Sequence, residues 1–394
     1  MKRTLLAADL SVSPSESEND ALNILNLPDE IVLAIPNSVS ENTATKIMLT
    51  LSSSSDALYR LFQPELDKQA AQQLLSLVLK PTQENLEKAK KMWTANPRLL
   101  FIEATAEEYA AGLDENLKNV HRKVKASPIR AMAGAGDIWL LKEVIETDEF
   151  KKYVDPASNK SAYELAAAEM KKQFPNGFNF PPSTYDFDPL IDAITNDQSL
   201  FNNNAPSDVT KALIAQFRKD FLPDTAITSG HFFNLNELAR AFKIYEDNLS
   251  SRSLWEDNQL LLFWREVIGY FEGLVSGVIG EVISQGIMNV LDGSPPKRQY
   301  DCRDYEIGEK EVYFPLSDDP SSRLGLSFGF DSYYTLAAAG GLFTYMGRRL
   351  HITDLMSSSS NELGRIYDAL AATSKPTNGC KTSAETEVLC DFVR

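Results

Sequence analysis

The sequence predicts a mainly α-helical fold, with ankyrin-like helical repeats followed by a C-terminal α-rich domain that carries a small β-hairpin. Three observations carry this expectation. Apolar residues recur at three- and four-residue spacing in one segment after another. Alanines cluster where paired helices would meet. Two similar openings, Ser127-Pro128-Ile129-Arg130-Ala131 and Ser161-Ala162-Tyr163-Glu164-Leu165-Ala166, stand 34 positions apart, close to the ankyrin period of about 33 residues.

Residues 1–20 read as a polar tail. Met1 to Leu10 lacks the long apolar core of a secretory signal. Residues 21–66 read as short helices broken by Pro28, Pro36, the run Ser52 to Ser55, and Pro64. Within them Leu27-Pro28-Asp29-Glu30-Ile31, followed by Ile35 and Val39, resembles the opening of an F-box. There Leu-Pro starts a short helix, and spaced aliphatics dock onto the adaptor subunit of a cullin ubiquitin ligase. Leu27, Pro28, Ile31 and Ile35 are therefore the partner-binding candidates. Pro36 departs from that pattern because it would end or kink the helix, and Ala44 stands where a larger aliphatic is usual. The competing reading is a proline in the first turn of a core helix.

Residues 67–174 carry the expected repeats. Gln69 to Leu79 has Leu74, Leu75, Val78 and Leu79 at helical spacing, and Asn85 to Trp93 continues the pattern up to Asn96-Pro97. The segment from Ser127 has the register of the ankyrin opening, Thr-Pro-Leu-His, one variable residue, then Ala. Met132 departs from the alanine, but Ala133 follows it. Gly136 falls at the turn between paired helices, and Ile138 to Ile145 supplies the second helix. Small alanines let paired helices approach, and each unit buries its apolar face only by stacking on a neighbour. An ordinary helical hairpin with alanine packing is the alternative.

Residues 175–188, rich in Pro, Asn, Gly and aromatics, read as a linker to a C-terminal domain over 189–375. Its expected helices are Asp208 to Phe221, Leu235 to Asn248, and Asp257 to about Leu291. Gly269, Gly273 and Gly277 share one helix face. Arg265, Glu266, Glu272 and Glu281 interrupt the most apolar stretch, so close helix packing is expected there and no membrane span. Glu311 to Leu316 and Leu324 to Phe330 alternate as strands of a small hairpin. Residues 376–394 read as a tail.

Composition narrows the function. The formal charge is −16, with 43% hydrophobic and 10% aromatic residues. This is globular composition, and an acidic surface repels phosphate backbones and anionic lipid, so nucleic acid is not an expected partner. Cys302, Cys380 and Cys390 match no zinc ligand set and suit a reducing compartment. With only three histidines, no metal or other cofactor is expected. Asp186-Phe187-Asp188 has the form of paired carboxylates that hold a divalent metal and nucleotide sugar in many glycosyltransferases. However, Asp188-Pro189 ahead of Leu190, Ile191 and Ile194 is also an ordinary helix start, with Asp188 as the cap. His231, near Ser229 and Glu237, has the elements of a general base but no nucleophile elbow accompanies it. Cys302 lacks a local base. No phosphate-binding loop, dinucleotide fingerprint or kinase signature is present.

Leu61-Phe62-Gln63-Pro64-Glu65-Leu66, Asn96-Pro97-Arg98-Leu99-Leu100, the Ser127 to Ile145 segment, Tyr185-Asp186-Phe187-Asp188-Pro189-Leu190 and Leu262-Phe263-Trp264-Arg265-Glu266-Val267-Ile268-Gly269-Tyr270 together resemble a group of secreted effectors. They come from Legionella-type intracellular bacteria and include ankyrin-like and F-box-like members. The resemblance covers patches of residues 60–315. It implies secretion into a host cell, a place in the host cytoplasm and host proteins as partners, and it carries over no catalytic residue. The expected function is binding of a host protein through the helical repeats, with recruitment of a cullin ligase through the front segment. The alternatives are a C-terminal transferase-type enzyme and a purely structural scaffold.

Overall fold

The computed structural model describes residues 46–48, 50, 56–80, 82–113, 119–203, 205–222, 225–250, 255–285, 294–296, 298 and 342–373. The chain divides into two units, Met1–Asp67 and Lys68–Arg394. In the first, Met48, Leu58 and Phe62 are buried together, with Leu61 and Leu66 at their margin. The strands expected between 311 and 330 lie outside the described residues.

Helix α1 (Asp56–Leu79) runs through Pro64, where the sequence predicts a break. A proline inside a helix forfeits one hydrogen bond and costs ~3 kcal/mol. Burial of Leu58 and Phe62 offsets this, at roughly 1.5–3 kcal/mol for each large apolar side chain. Helix α2 (Gln83–Ala95) starts at Thr82, whose hydroxyl accepts the Asn85 N–H, and a 3-10 turn (Pro97–Phe101) follows it.

The span expected to be all helix then changes period. β1 (Ala104–Leu113) and β2 (Asn119–Ala126) form an antiparallel hairpin, paired from Ala104 opposite Ala126 to Glu107 opposite Lys123. The register shifts between Glu107 and Ala111 and resumes with Ala111 opposite His121. Ala104, Ala106, Glu108, Arg122, Val124 and Ala126 are buried, whereas Thr105, Glu107, Lys123 and Lys125 are exposed. That alternation is the period of two of a strand with one face covered. Helix pairs throughout 67–174 are thus corrected to helices interrupted by this hairpin.

Beyond the hairpin the predicted openings become helix starts. Ser127 accepts the Arg130 N–H to cap α3 (Pro128–Gly134). Gly136, at φ +75°, turns the chain, and Asp137 caps α4 (Ile138–Glu146). A left-handed residue at that turn strains any side chain with a Cβ. After the short α5 (Asp148–Lys152), Ser161 and Glu164 form a capping box at α6 (Ala162–Gln173). Helix α3 packs against both α4 and α6.

The second half contains α7 (Asp188–Thr195), α8 (Gln198–Asn203), α9 (Asp208–Phe221) and α10 (Leu235–Ser250). Then α11 (Asp257–Phe263), a π-helical turn (Trp264–Ile268) and α12 (Gly269–Leu274) run on without a loop, followed by α13 (Gly277–Gln285). The π turn carries Glu266, read above as a charge interrupting an apolar stretch, which pairs with Arg218 of α9 in the interior. The Tyr270 hydroxyl donates to the Arg218 carbonyl at 2.8 Å. No helix of the described residues is long and apolar enough to cross a membrane.

Two apolar clusters fill the Lys68–Arg394 unit. One gathers Leu74, Trp93, Val124, Ile129, Leu141 and Met170, and the other Phe187, Phe217, Phe242, Trp264, Phe271 and Val278. The long helix α14 (Leu342–Thr373) joins them. It gives Ile352 and Leu355 to the second cluster and Leu363, Ile366 and Leu370 to the first.

Ala133 is completely buried in α3. Ala133→Leu should overpack that contact and lower stability by about 1–3 kcal/mol, read as a lower urea midpoint at unchanged slope. An unchanged midpoint would contradict the packing described here.

Candidate functional site

The structure separates the residues that the sequence singled out. Leu27, Pro28, Ile31, Ile35 and Cys302 lie outside the described residues. Asp186 and Asp188 are both exposed at the start of α7, but Asp188 is not the cap. The cap position is Phe187, without a side-chain bond, and Asp188 lies in the first turn. Asp186 takes part of the capping work, its Oδ1 accepting the Asp188 N–H at 3.1 Å. The bulky Phe187 is fully buried, and this fixes which carboxylate faces the backbone. Among the described residues no group of three or more His, Cys, Asp or Glu is placed to hold a metal.

His231 is brought into an aromatic setting. Its Nε2 donates to the Phe178 carbonyl at 2.8 Å. Its ring stacks on Phe180 at 3.6 Å and tilts against Phe174 at 4.8 Å. Burial holds the imidazole neutral, its pKa lowered to about 4. Glu237, the acid expected beside it, is used elsewhere: it accepts from the Ser183 hydroxyl at 2.6 Å and the Thr184 N–H at 2.9 Å. With its Nε2–H committed to the Phe178 carbonyl and its ring held between Phe174 and Phe180, His231 packs two loops together, and among the described residues no carboxylate pairs with it.

The densest polar arrangement was not foreseen. The irregular segment Ile227 to Phe232 runs past α3 and α6, and several of its backbone groups are paired with them and with β2. Ile227 bridges β2, donating to the Lys123 carbonyl and accepting from Lys125. Arg130 donates to the Thr228 carbonyl, to Gln173 Oε1 at 3.3 Å and to Glu103 at 2.9 Å. The Gln173 side chain donates to the Gly230 carbonyl at 2.6 Å, and its own carbonyl accepts the Gly230 N–H. The Phe232 N–H donates to the Gly134 carbonyl, and Arg122 donates to the Phe232 carbonyl at 2.8 Å.

Arg122 also meets Glu108 at 2.7 Å, with side chains only 3% and 1% exposed. The shifted register beside Glu107 places Glu108 there. Burial pushes the Glu108 carboxyl above its usual range, and Arg122 opposes the rise. Its neighbour Lys123 faces solvent. Ser127 adds a second link to the module, donating to Glu169 of α6 at 2.6 Å. The arrangement ties α3, α6 and the hairpin together, with Glu103, Thr105, Glu107, Lys123 and Lys125 exposed beside it.

Two measurements test this account. Glu108→Leu should strand the buried Arg122 charge and cost about 3–5 kcal/mol; Glu108→Leu combined with Arg122→Met should recover part of that loss in urea unfolding. His231 makes the second test. Its folded pKa of about 4 lies below the ordinary 6.5, so the unfolded chain binds the extra proton first on acidification. Its contribution is complete above pH ~6.5 and is lost as pH falls towards ~4, by roughly 3 kcal/mol. His231→Phe should flatten the stability profile across that window, and an unchanged slope would contradict the burial assigned to the ring.

Comparison of the chain with protein-family models, with curated proteins and with solved structures finds no match.

Proposed function

We propose that this chain is a secreted bacterial effector that binds a host protein in the host cytoplasm, using a degenerate ankyrin-type helical unit as its platform. One observation carries the reading. The two openings at Ser127 and Ser161 both become capped helix starts, and the helices they begin, α3 and α6, pack side by side. Between them Gly136 turns α3 back into α4. That is the geometry that lets one repeat cover the apolar face of the next.

The second unit lacks a following partner helix of its own: α6 leads into the 174–187 connection. Helix α14 packs on both α6 and α4 and covers the apolar surface that a further repeat would cover. A rigid helical face of this kind serves recognition of folded proteins better than turnover of a small molecule. In this reading Leu27, Pro28, Ile31 and Ile35 recruit the adaptor of a cullin ligase, and the helical unit holds the ligase's target.

The test is affinity recovery from host-cell lysate with the full chain, read by mass spectrometry. Cullin-ligase subunits should be recovered with the intact protein. Leu27→Ala with Pro28→Ala should abolish their recovery while leaving the thermal midpoint within about 2 °C, the size of change expected for surface substitutions. A destabilised double variant, with no adaptor recovered by the intact chain, would sink the ligase-docking part.

A further inference from the structure

We propose that the surface cavity between α7 and α9 binds a guanidinium group, the arginine side chain of a partner protein. This rests on the protein-binding reading and names the chemistry that such a partner would present. The cavity holds about 570 Å³ including its open mouth. Leu190 and Leu213 form its apolar floor, and Tyr185, Asp186, Gln216 and Asp220 stand around it.

Three features favour a planar organic cation. The Tyr185 ring lines the cavity and packs against Phe187, Phe217 and Phe221, with centroids 4.9, 5.4 and 4.9 Å away. A ring held this way offers a ready face to a cation. Asp186 and Asp220 each commit one oxygen, Oδ1, to the Asp188 N–H and to Gln216. Neither carboxylate is in an ion pair among the described residues. Finally, both carboxylates act on the phenol. The three groups line one cavity, and the Tyr185 hydroxyl is pushed up to about 12, first by burial and then by Asp220 and Asp186.

The chemistry selects among cations. A hard divalent ion takes roughly six to eight oxygen ligands, and here two half-committed carboxylates share the space with an aromatic ring. An ammonium would use the charge but leave the flat ring and the apolar floor unused. A guanidinium can stack on the ring and donate to both carboxylates, while its aliphatic stem lies on Leu190 and Leu213. The formal charge of −16 steers basic partners towards such a surface.

The experiment uses the full chain with labelled leucine methyls, titrated with Nα-acetylarginine amide and followed at Leu190 and Leu213. Saturable shifts are expected. Binding should weaken about tenfold or more for the neutral isostere acetylcitrulline amide, and likewise for Asp186→Asn with Asp220→Asn. Asparagine keeps the Oδ1 acceptors, so the fold should persist, and Asp220→Asn alone provides a second variant. Equal binding of acetylcitrulline amide or of acetyllysine amide would overturn the assignment, as would unchanged binding by the Asn variants or stoichiometric manganese binding at these residues. Arginine binding without recovery of any host protein would uphold the cavity and remove the protein-binding reading. Host-protein recovery without arginine binding would remove only the cavity.

Discussion

Tying the irregular segment from Ile227 to Phe232 to three separate elements is the constraint on which the rest of this fold depends. The segment has no sheet or helix of its own beyond one bridge to β2, and its Gly230 and Phe232 N–H groups donate to the Gln173 and Gly134 carbonyls of α6 and α3. Its carbonyls take their partners from outside the segment, each bond worth about 0.5–1.5 kcal/mol net and more where the donor is charged. Arg122, Arg130 and Gln173 supply those partners from three separate elements. Each of those side chains is therefore held in place by the segment it holds. Gly134 shows how close the fit is: a Cβ there would sit 2.4 Å from the Phe232 ring and 2.7 Å from Gln173 Nε2.

The two apolar clusters meet around the Gly136 turn. Ser276, at the start of α13, donates to the Ala135 carbonyl at 2.5 Å. A Cβ on Gly136 would lie 3.1 Å from Ile279, in addition to the strain of its positive φ. The same residue thus reverses the chain between α3 and α4 and admits α13 against the turn. Arg298 reinforces this corner with a two-pronged contact to Asp137 at 2.6 and 2.7 Å, and Asp137 at the same time caps α4. Charge-assisted contacts of this geometry are stronger than neutral ones, and here they fix a turn and a helix end together.

Local signals were the legible part of the candidate site. The segments at Ser127 and Ser161, read from the sequence as repeat openings, are helix starts in the structure, where capping is satisfied within four residues. Gly136 announced a turn for the same kind of reason. The Asp188-Pro189 start was placed one residue off, because the burial of Phe187 decides which residue stands at the cap. The arginine clasp was not legible. Arg122 and Phe232, or Arg130 and Gln173, are far apart along the chain, and a buried arginine looks like a surface one until its partners are known.

What the sequence by itself determined is the helical majority, the capped helix starts and the glycine turn, all set by interactions between residues a few positions apart. Only the tertiary structure decided that Ala104 to Ala126 is a hairpin. Its short inward residues Ala104, Ala106 and Ala126 carry weak strand propensity, and it is the cover over one face that makes the extended form favourable. Tertiary packing also decided that α1 passes through Pro64, that Glu266 and Arg122 pair with Arg218 and Glu108 inside the fold, and that α14 packs on α4 and α6. In each case the deciding energy comes from burial and pairing across long stretches of chain, which outweigh the local preference.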